Sequence, residues 1–363
     1  MNGETKRTSE ELAELKAKPL EEKIQISIAR IMEWYNYWGG NVAVSFSGGK
    51  DSTVLLHLVR SVYPDVKAMF VNTGLEYPEI QSFVRGFDNV DIVRPEMMFN
   101  DVITKYGYPL ISKEVAEKIF YARNSTLGKG KKAMTCRAEL TGCRMYNTGG
   151  QNVYSMFNKK KWLQLTYIPI PISNRCCSIM KKSTSSKYET RTKLRLYIGT
   201  TTEESMVRKQ AWLKTGCNAF DGVHPKSQPL SFWTEQDMLK YIRQNDLSIA
   251  PVYGDIVEDR NALRCSGCDR TGCIFCGFGL HLEKGETRFQ RLAKTHPKHY
   301  DYCMRGGQWV DNPDYKSDAP EYDGTWKNYN PKQIWVPSKE GLGMRKVFDM
   351  VNEVYGKDFC RYE

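Results

Sequence analysis

The segment Ser47-Gly48-Gly49-Lys50-Asp51-Ser52 limits the possible folds of this chain more than any other stretch. It follows the apolar run Val42, Ala43, Val44, Ser45, Phe46 and leads into Thr53-Val54-Leu55-Leu56-His57-Leu58-Val59, so a glycine-rich turn stands between a buried strand and a helix. Two glycines omit the Cβ atoms that would hold an anion off the backbone. The helix start offers N–H groups with no partner inside the helix, and Lys50 adds a positive charge. Nucleotide phosphates suit such a turn. The Walker spacing G-x-x-x-x-G-K-[ST] is absent. An ordinary strand-to-helix turn would use the glycines, but it would not need Ser, Lys, Asp and Ser in this order.

At 363 residues the chain is long enough for one elaborated domain or two, each with a substantial core. A hydrophobic share of 40% with 26% charged residues reads as globular. No stretch reaches the apolar length of a membrane span, and the polar residues 1–18 lack the apolar core of a signal peptide, so a cytoplasmic protein without membrane contact is expected. In that compartment the eleven cysteines read as thiolates, metal ligands or buried small side chains, not disulfides. The net charge of +11 points to an anionic partner, either nucleic acid or a nucleotide alone.

Four regions are expected. Residues 1–40 form a helical segment: Thr8-Ser9-Glu10-Glu11 fits a capping box, and Ile24, Ile26, Ile28, Ile31, Met32, Trp34 and Trp38 read as a helix face on a sheet. Residues 41–260 read as an α/β nucleotide-binding domain with strands at 42–46, 66–71 and 90–93. Strand, helix, strand implies a right-handed parallel crossover, and ligands then sit beyond the carboxyl ends of the strands, where Ser47 and Asn72 emerge. Within this domain, residues 121–165 carry Gly128, Lys129, Lys131, Lys132 and Lys159-Lys160-Lys161 and read as a basic insertion, solvated or in contact with nucleic acid. Residues 261–305 are the cysteine-rich region, with Phe289, Leu292, His296, Tyr300 and Cys303 on one helix face. Residues 306–363 combine an irregular segment with a terminal amphipathic helix carrying Met344, Val347, Phe348, Val351, Val354 and Tyr355.

The cysteines form a second constellation. Cys176 and Cys177 are adjacent, and Cys265, Cys268, Cys273 and Cys276 form two C-x-x-C pairs. Such spacing presents two thiolates to one centre. Zinc would take Cys265, Cys268, Cys273 and Cys276 as a compact knuckle, although four residues between the pairs are few for a zinc ribbon. An iron–sulfur cluster would recruit Cys176 and Cys177, and buried thiols without metal are the remaining reading. Cys136, Cys143, Cys217 and Cys303 stand alone and read as packing.

Ser45-Phe46-Ser47-Gly48-Gly49-Lys50-Asp51-Ser52, Asn72-Thr73-Gly74 with Tyr77-Pro78-Glu79, Cys176-Cys177, the segment from Gly199 to Arg208, Pro229-Leu230-Ser231-Phe232-Trp233-Thr234 and Gly272-Cys273-Ile274-Phe275-Cys276 occur in this order. The loop resembles the PP-loop of ATP pyrophosphatases, and the whole series resembles the phosphoadenosine phosphosulfate (PAPS) reductase family in its iron–sulfur branch. The resemblance implies a Rossmann-like parallel sheet, that of the adenine nucleotide α-hydrolases, with a C-terminal cluster-binding extension. It implies a 4Fe–4S cluster on Cys176, Cys177, Cys273 and Cys276, with Cys268 as a rival ligand in an arrangement similar to the DNA phosphorothioation members. It also marks departures: Gly199-Thr200-Thr201 lacks the arginine that sulfonucleotide reductases carry in Gly-Ile-Arg, and Cys360 stands in Phe359-Cys360-Arg361 without the neighbours of the reductase nucleophile. A frayed terminal cysteine is the expectation for Cys360.

The resulting expectation is an ATP- and Mg²⁺-dependent enzyme that forms AMP and pyrophosphate and transfers sulfur, with a nucleic acid (DNA or tRNA) as acceptor and a separate protein as sulfur donor or reductant. Ser47, Gly48, Gly49, Lys50, Asp51 and Ser52 would cradle pyrophosphate, with Lys50 in an exposed turn offsetting leaving-group charge and Asp51 orienting Mg²⁺. Asn72, Thr73 and Gly74 would border adenosine, while Glu204, Ser205 and Arg208 close the phosphate side, Arg208 as a catalytic residue. Two other readings are a sulfonucleotide reductase that uses Cys360 and thioredoxin, and a nucleotide-sensing module with a structural metal site.

Overall fold

The computed structural model describes residues 7–123, 130–222, 224–322 and 326–363. Two compact units make up the chain, Met1–Glu96 with Lys181–Cys273, and Met97–Met180 with Ile274–Glu363.

The first unit is built on a six-stranded sheet. Strands Val42–Ser45 (β1), Lys67–Val71 (β2) and Val90–Val93 (β3) run in the order β3-β2-β1, followed by Arg195–Ile198, Lys226–Ser227 and Asn218–Ala219. Every neighbouring pair is parallel except the last. Ala43, Val44, Ala68 and Met69 are buried, as strands covered on both faces require, which is why they read as unbroken apolar runs. The mixed α/β fold with a mainly parallel sheet is thus the one its strand pattern implies.

Helices Ser9–Ala17 (α1) and Leu20–Tyr37 (α2) precede the sheet, α1 with the expected capping box of Thr8 and Glu11. The buried stripe of α2 differs from the expected one: it is Leu20, Lys23, Ser27, Ile31 and Trp34, whereas Ile24, Ile26 and Ile28 are half-buried and Met32 is exposed. Two polar residues lie on the buried stripe because each finds a partner there. Lys23 Nζ pairs with Asp237 at 2.7 Å, and Ser27 Oγ donates to the Pro229 carbonyl at 3.0 Å while accepting from Trp233 Nε1 at 2.9 Å. Helix Lys50–Val62 (α3) connects β1 to β2, and Pro78–Arg85 (α4), opened by its proline, packs inward through Ile80 and Val84.

In the second unit, the stretch expected as a basic insertion contains helix Lys131–Thr141 and an antiparallel hairpin, Met145–Thr148 with Gln151–Tyr154, whose strand residues are all exposed. Gly128 and Lys129 lie outside the described residues. Helix Lys113–Arg123 packs beside Lys131–Thr141, and buried Lys118 pairs with Glu139. Arg123 donates to the carbonyls of Thr166, Ile168 and Ile170, which binds the 165–170 segment to its helix. The expected single helix through Phe289 and Cys303 is two, Arg288–Thr295 and Pro297–Met304, because Pro297 pushes His296 out of helical geometry at φ −136° and ψ 63°. The irregular segment after residue 306 is bounded by an antiparallel pair, Gln308–Asp311 with Gln333–Val336. The terminal helix Met344–Tyr355 buries Met344, Val347, Phe348 and Val351 as expected, whereas Val354 is exposed and Tyr355 half-buried. Among the described residues no helix is long and apolar enough to cross a membrane.

Removal of one partner from a buried ion pair leaves an uncompensated charge, a cost of about 3–5 kcal/mol. Asp237→Ala should therefore destabilise the protein by an amount of that order in denaturant unfolding, because it strands the ammonium of Lys23 and removes the Thr234 cap contacts. Lys23→Met should cost less, since Asp237 keeps its bonds to Thr234.

Candidate functional site

β1 ends at Ser45, and the chain turns through Ser47-Gly48-Gly49 into α3 at the carboxyl edge of the sheet. Gly48 has φ +70°, and a Cβ there would stand 2.7 Å from Val84 Cγ2 and 2.8 Å from Ile80 Cγ2, so only glycine allows α4 this close. Gly49 is the N-cap of α3, and a Cβ would come within 3.2 Å of Tyr253 Oη and 3.3 Å of Ser47 Oγ. Ser52 Oγ donates to the Gly49 carbonyl at 2.8 Å and accepts from the Ser47 N–H at 3.2 Å, so the two serines brace the turn. Gly199, just after the neighbouring strand, lies close against α3, its Cβ position being 3.1 Å from the Asp51 carbonyl oxygen.

Lys50 departs from the sequence expectation. It is not in an exposed turn but in the first turn of α3, 5% exposed. Its Nζ donates to the Asp269 carbonyl at 2.6 Å and pairs with Glu235 at 2.9 Å, while its backbone N–H donates to Tyr253 Oη at 3.3 Å. Burial opposes the charge, but Asp51 and Glu235 outweigh it and hold Lys50 above the ordinary lysine value. Asp51 is held above the usual carboxylate range by burial first, with Glu204 and Glu235 adding to the effect against Lys50 and Arg270.

Glu204 is therefore close enough to act on Asp51, and it pairs with Arg208 and, at 3.9 Å, with Arg270. Ser205 caps the helix Met206–Thr215 by accepting the Arg208 N–H at 3.3 Å. Thr73 donates its N–H and hydroxyl to Glu76 at 3.0 and 2.7 Å, and Asn72 Oδ1 accepts the Gly74 N–H at 3.0 Å, so these residues form a self-bonded turn after β2. A cavity of about 140 Å³ joins the two loops. Ser47, Glu76, Tyr77, Lys181, Thr271 and Gly272 are among its lining, whereas Asn72, Thr73 and Gly74 are not.

Tyr253, Glu235 and residues 269–271 lie against the turn and were not among the expected site residues. Asp269 is 219 residues from Lys50, and no local pattern announces such a contact.

The cysteines are divided between the units: Cys265, Cys268 and Cys273 belong to the first, Cys176, Cys177 and Cys276 to the second. Among the described residues no three His, Cys, Asp or Glu side chains gather as a metal site. Cys136, Cys217 and Cys303 are buried as expected of packing residues, but Cys143 is exposed. Cys360 is not frayed. Its N–H donates to Asn352 Oδ1 at 2.7 Å, the following Arg361 carbonyl accepts from Thr287 Oγ1 at 2.8 Å, and burial pushes the thiol up to about 12.

A parallel α/β sheet with a glycine-rich, lysine-bearing turn at its carboxyl edge defines the class of this protein. Residues 41–109 and 132–277, more than half of the chain, match the phosphoadenosine phosphosulfate reductase domain, and the chain belongs to that family. An uncharacterized protein of Methanocaldococcus jannaschii is 23% identical over 276 residues, 74% of this chain and 47% of that protein, so the chain spans about half the length of this curated relative. The crystal structure of a PAPS reductase from Candida auris in complex with phosphate shares 12% identity with a TM-score of 0.35, over 72% of this chain and all of that one. Family membership makes the chain sulfonucleotide-reductase-like at the family level.

Gly48→Ala should cost about 1–3 kcal/mol in denaturant unfolding, since it adds both a clash and a strained φ. Gly49→Ala, at φ −79°, should cost less. Because burial pushes the Cys360 thiol up to about 12, its alkylation at any pH between 7 and 9 should lag far behind that of exposed Cys143, as peptide-resolved mass spectrometry would measure.

Proposed function

We propose that the chain binds an adenine nucleotide on Ser47–Ser52, splits ATP between the α- and β-phosphates, and couples this to transfer of sulfur. One observation supports the reading above all others: Lys50 is buried yet held charged beside a turn whose two glycines keep side chains away. In this reading an acceptor oxygen or nitrogen attacks the α-phosphorus, the bond to the bridging oxygen breaks, and pyrophosphate leaves with the electron pair. Lys50 offsets the charge that develops on the leaving group, and the N–H groups at the start of α3 bind its oxygens. Asp51 would orient Mg²⁺, whose charge opposes the effect of burial on that carboxylate. A reduced sulfur donor then displaces AMP from the adenylated acceptor.

A nucleic acid is the proposed acceptor. The charge of +11 supports it, as does the lack of any Asp or Glu between Glu139 and Glu189. Part of the basic stretch is already neutralised, because Lys132 pairs with Glu117 at 2.5 Å and Lys159 with Glu114 at 3.4 Å. A 4Fe–4S cluster held by four of Cys176, Cys177, Cys268, Cys273 and Cys276 is proposed on their spacing, with zinc as the alternative, and no step above runs through it. The family assignment favours a second reading, a sulfonucleotide reductase, but a thiol raised to about 12 makes Cys360 a poor nucleophile for it.

Anaerobic turnover with ATP labelled at the α-phosphate and a nucleic-acid acceptor should release pyrophosphate and labelled AMP, and Lys50→Ala should lower the rate at least about 100-fold. Sulfite from PAPS and thioredoxin, lost in Cys360→Ser, with no pyrophosphate from ATP, would overturn the reading. Anaerobically purified protein should contain iron, and Cys273→Ser and Cys276→Ser should each remove its visible absorption. Stoichiometric zinc without iron would replace the cluster with the alternative metal.

A further inference from the structure

Arg270 lies between two residues that are fastened to the phosphate loop. The Asp269 carbonyl accepts from Lys50 Nζ at 2.6 Å, and Thr271 Oγ1 is 2.7 Å from Tyr253 Oη, which itself accepts the Lys50 N–H at 3.3 Å. Thr271 and Gly272 also line the cavity beside Ser47. The backbone on both sides of Arg270 is thus tied to the loop. The Arg270 side chain is 63% exposed, and its contact with Glu204 at 3.9 Å is longer than a hydrogen bond.

Glu204 is shared with Arg208, so one carboxylate faces two guanidinium groups. The other carboxylate in reach, Asp51, is buried beside Lys50, Glu204 and Glu235, and its proton is held more tightly than usual. Lys50, Arg208 and Arg270 stand there with Asp51, Glu204 and Glu235, and Glu204 is the carboxylate that the two arginines share. An exposed ion pair at this distance is worth little, so an entering oxyanion displaces Glu204 at small cost, whereas a guanidinium fork on a phosphate makes short charge-assisted bonds.

We propose that Arg270, with Arg208, forms an anion subsite that takes the outer phosphoryl groups of a nucleoside triphosphate while Lys50 and the glycine turn hold the inner ones. The proposal rests on the nucleotide reading above and adds a discriminating element to it: the site distinguishes polyphosphates from monophosphates through a residue carried on the cysteine-rich segment.

Calorimetric titration of the full chain with Mg–ATP, AMP and inorganic pyrophosphate tests this. Arg270→Gln should weaken ATP and pyrophosphate by about 10- to 100-fold and AMP by no more than about twofold, with an unchanged thermal midpoint because the side chain is exposed. Arg270→Lys, which keeps the charge without the fork, should fall between. Unchanged affinity for ATP and pyrophosphate in Arg270→Gln would overturn the subsite, and so would equal losses for ATP and AMP, which would mean that the loop and not an anion contact had been damaged. Wild-type protein that binds pyrophosphate but not ATP, with the loss in Arg270→Gln, would sink the nucleotide reading and keep the subsite. Binding of neither ligand would overturn both.

Discussion

A buried ammonium needs partners, and the way Lys50 finds them organises the first unit. Glu235 stands at the start of the helix Glu235–Gln244, Asp269 lies in the cysteine-rich segment, and Tyr253 comes from the short turn Pro251–Tyr253. Three stretches remote in sequence thus converge on the first turn of α3. Desolvation of an unpaired lysine at this depth would cost several kcal/mol or force its neutralisation. The converging loops supply a carboxylate and a carbonyl instead, and the charge persists. The same contacts place Arg270 and Thr271 next to the turn, so the stability of Lys50 and the composition of the site have one cause.

The turn itself depends on missing atoms. Gly48 lets α4 approach through Ile80 and Val84, Gly49 leaves space before Tyr253, and Gly199 lets the next strand end against α3. Each glycine removes a Cβ at a close approach, and together they bring four elements around one carboxyl edge. Ser47 and Ser52 then supply the hydrogen bonds that a side-chain-free turn lacks. In the second unit buried polar groups are satisfied in the same manner, with Arg123 on successive carbonyls and Tyr108 Oη donating to the Leu342 carbonyl at 2.7 Å.

Where sequence reasoning succeeded, the signal was local. β1 and β2 are buried and read as apolar runs, Thr8 and Glu11 satisfy each other within one turn, and the terminal helix repeats its apolar residues at helical spacing. It failed where a distant partner changed the meaning of a residue. Lys23 and Ser27 occupy the buried stripe of α2 because Asp237, Pro229 and Trp233 meet them there, and isoleucines that hydropathy would place inside are displaced to its flanks. Pro297 was visible in the sequence, yet the apolar spacing around it suggested one helix where the backbone makes two.

By itself the sequence determined the parallel α/β core and the glycine-rich turn that follows β1, because strand burial, helix start and glycine spacing are set by residues a few positions apart. The tertiary structure alone decided that Lys50 is buried and doubly held, that Cys360 is enclosed and protonated, and that Glu204 serves Arg208 and Arg270 together. Those properties arise from desolvation and from groups brought together from separate parts of the chain. No periodicity records them, since the energy of a buried charge depends on what surrounds it in space and not on its neighbours along the chain.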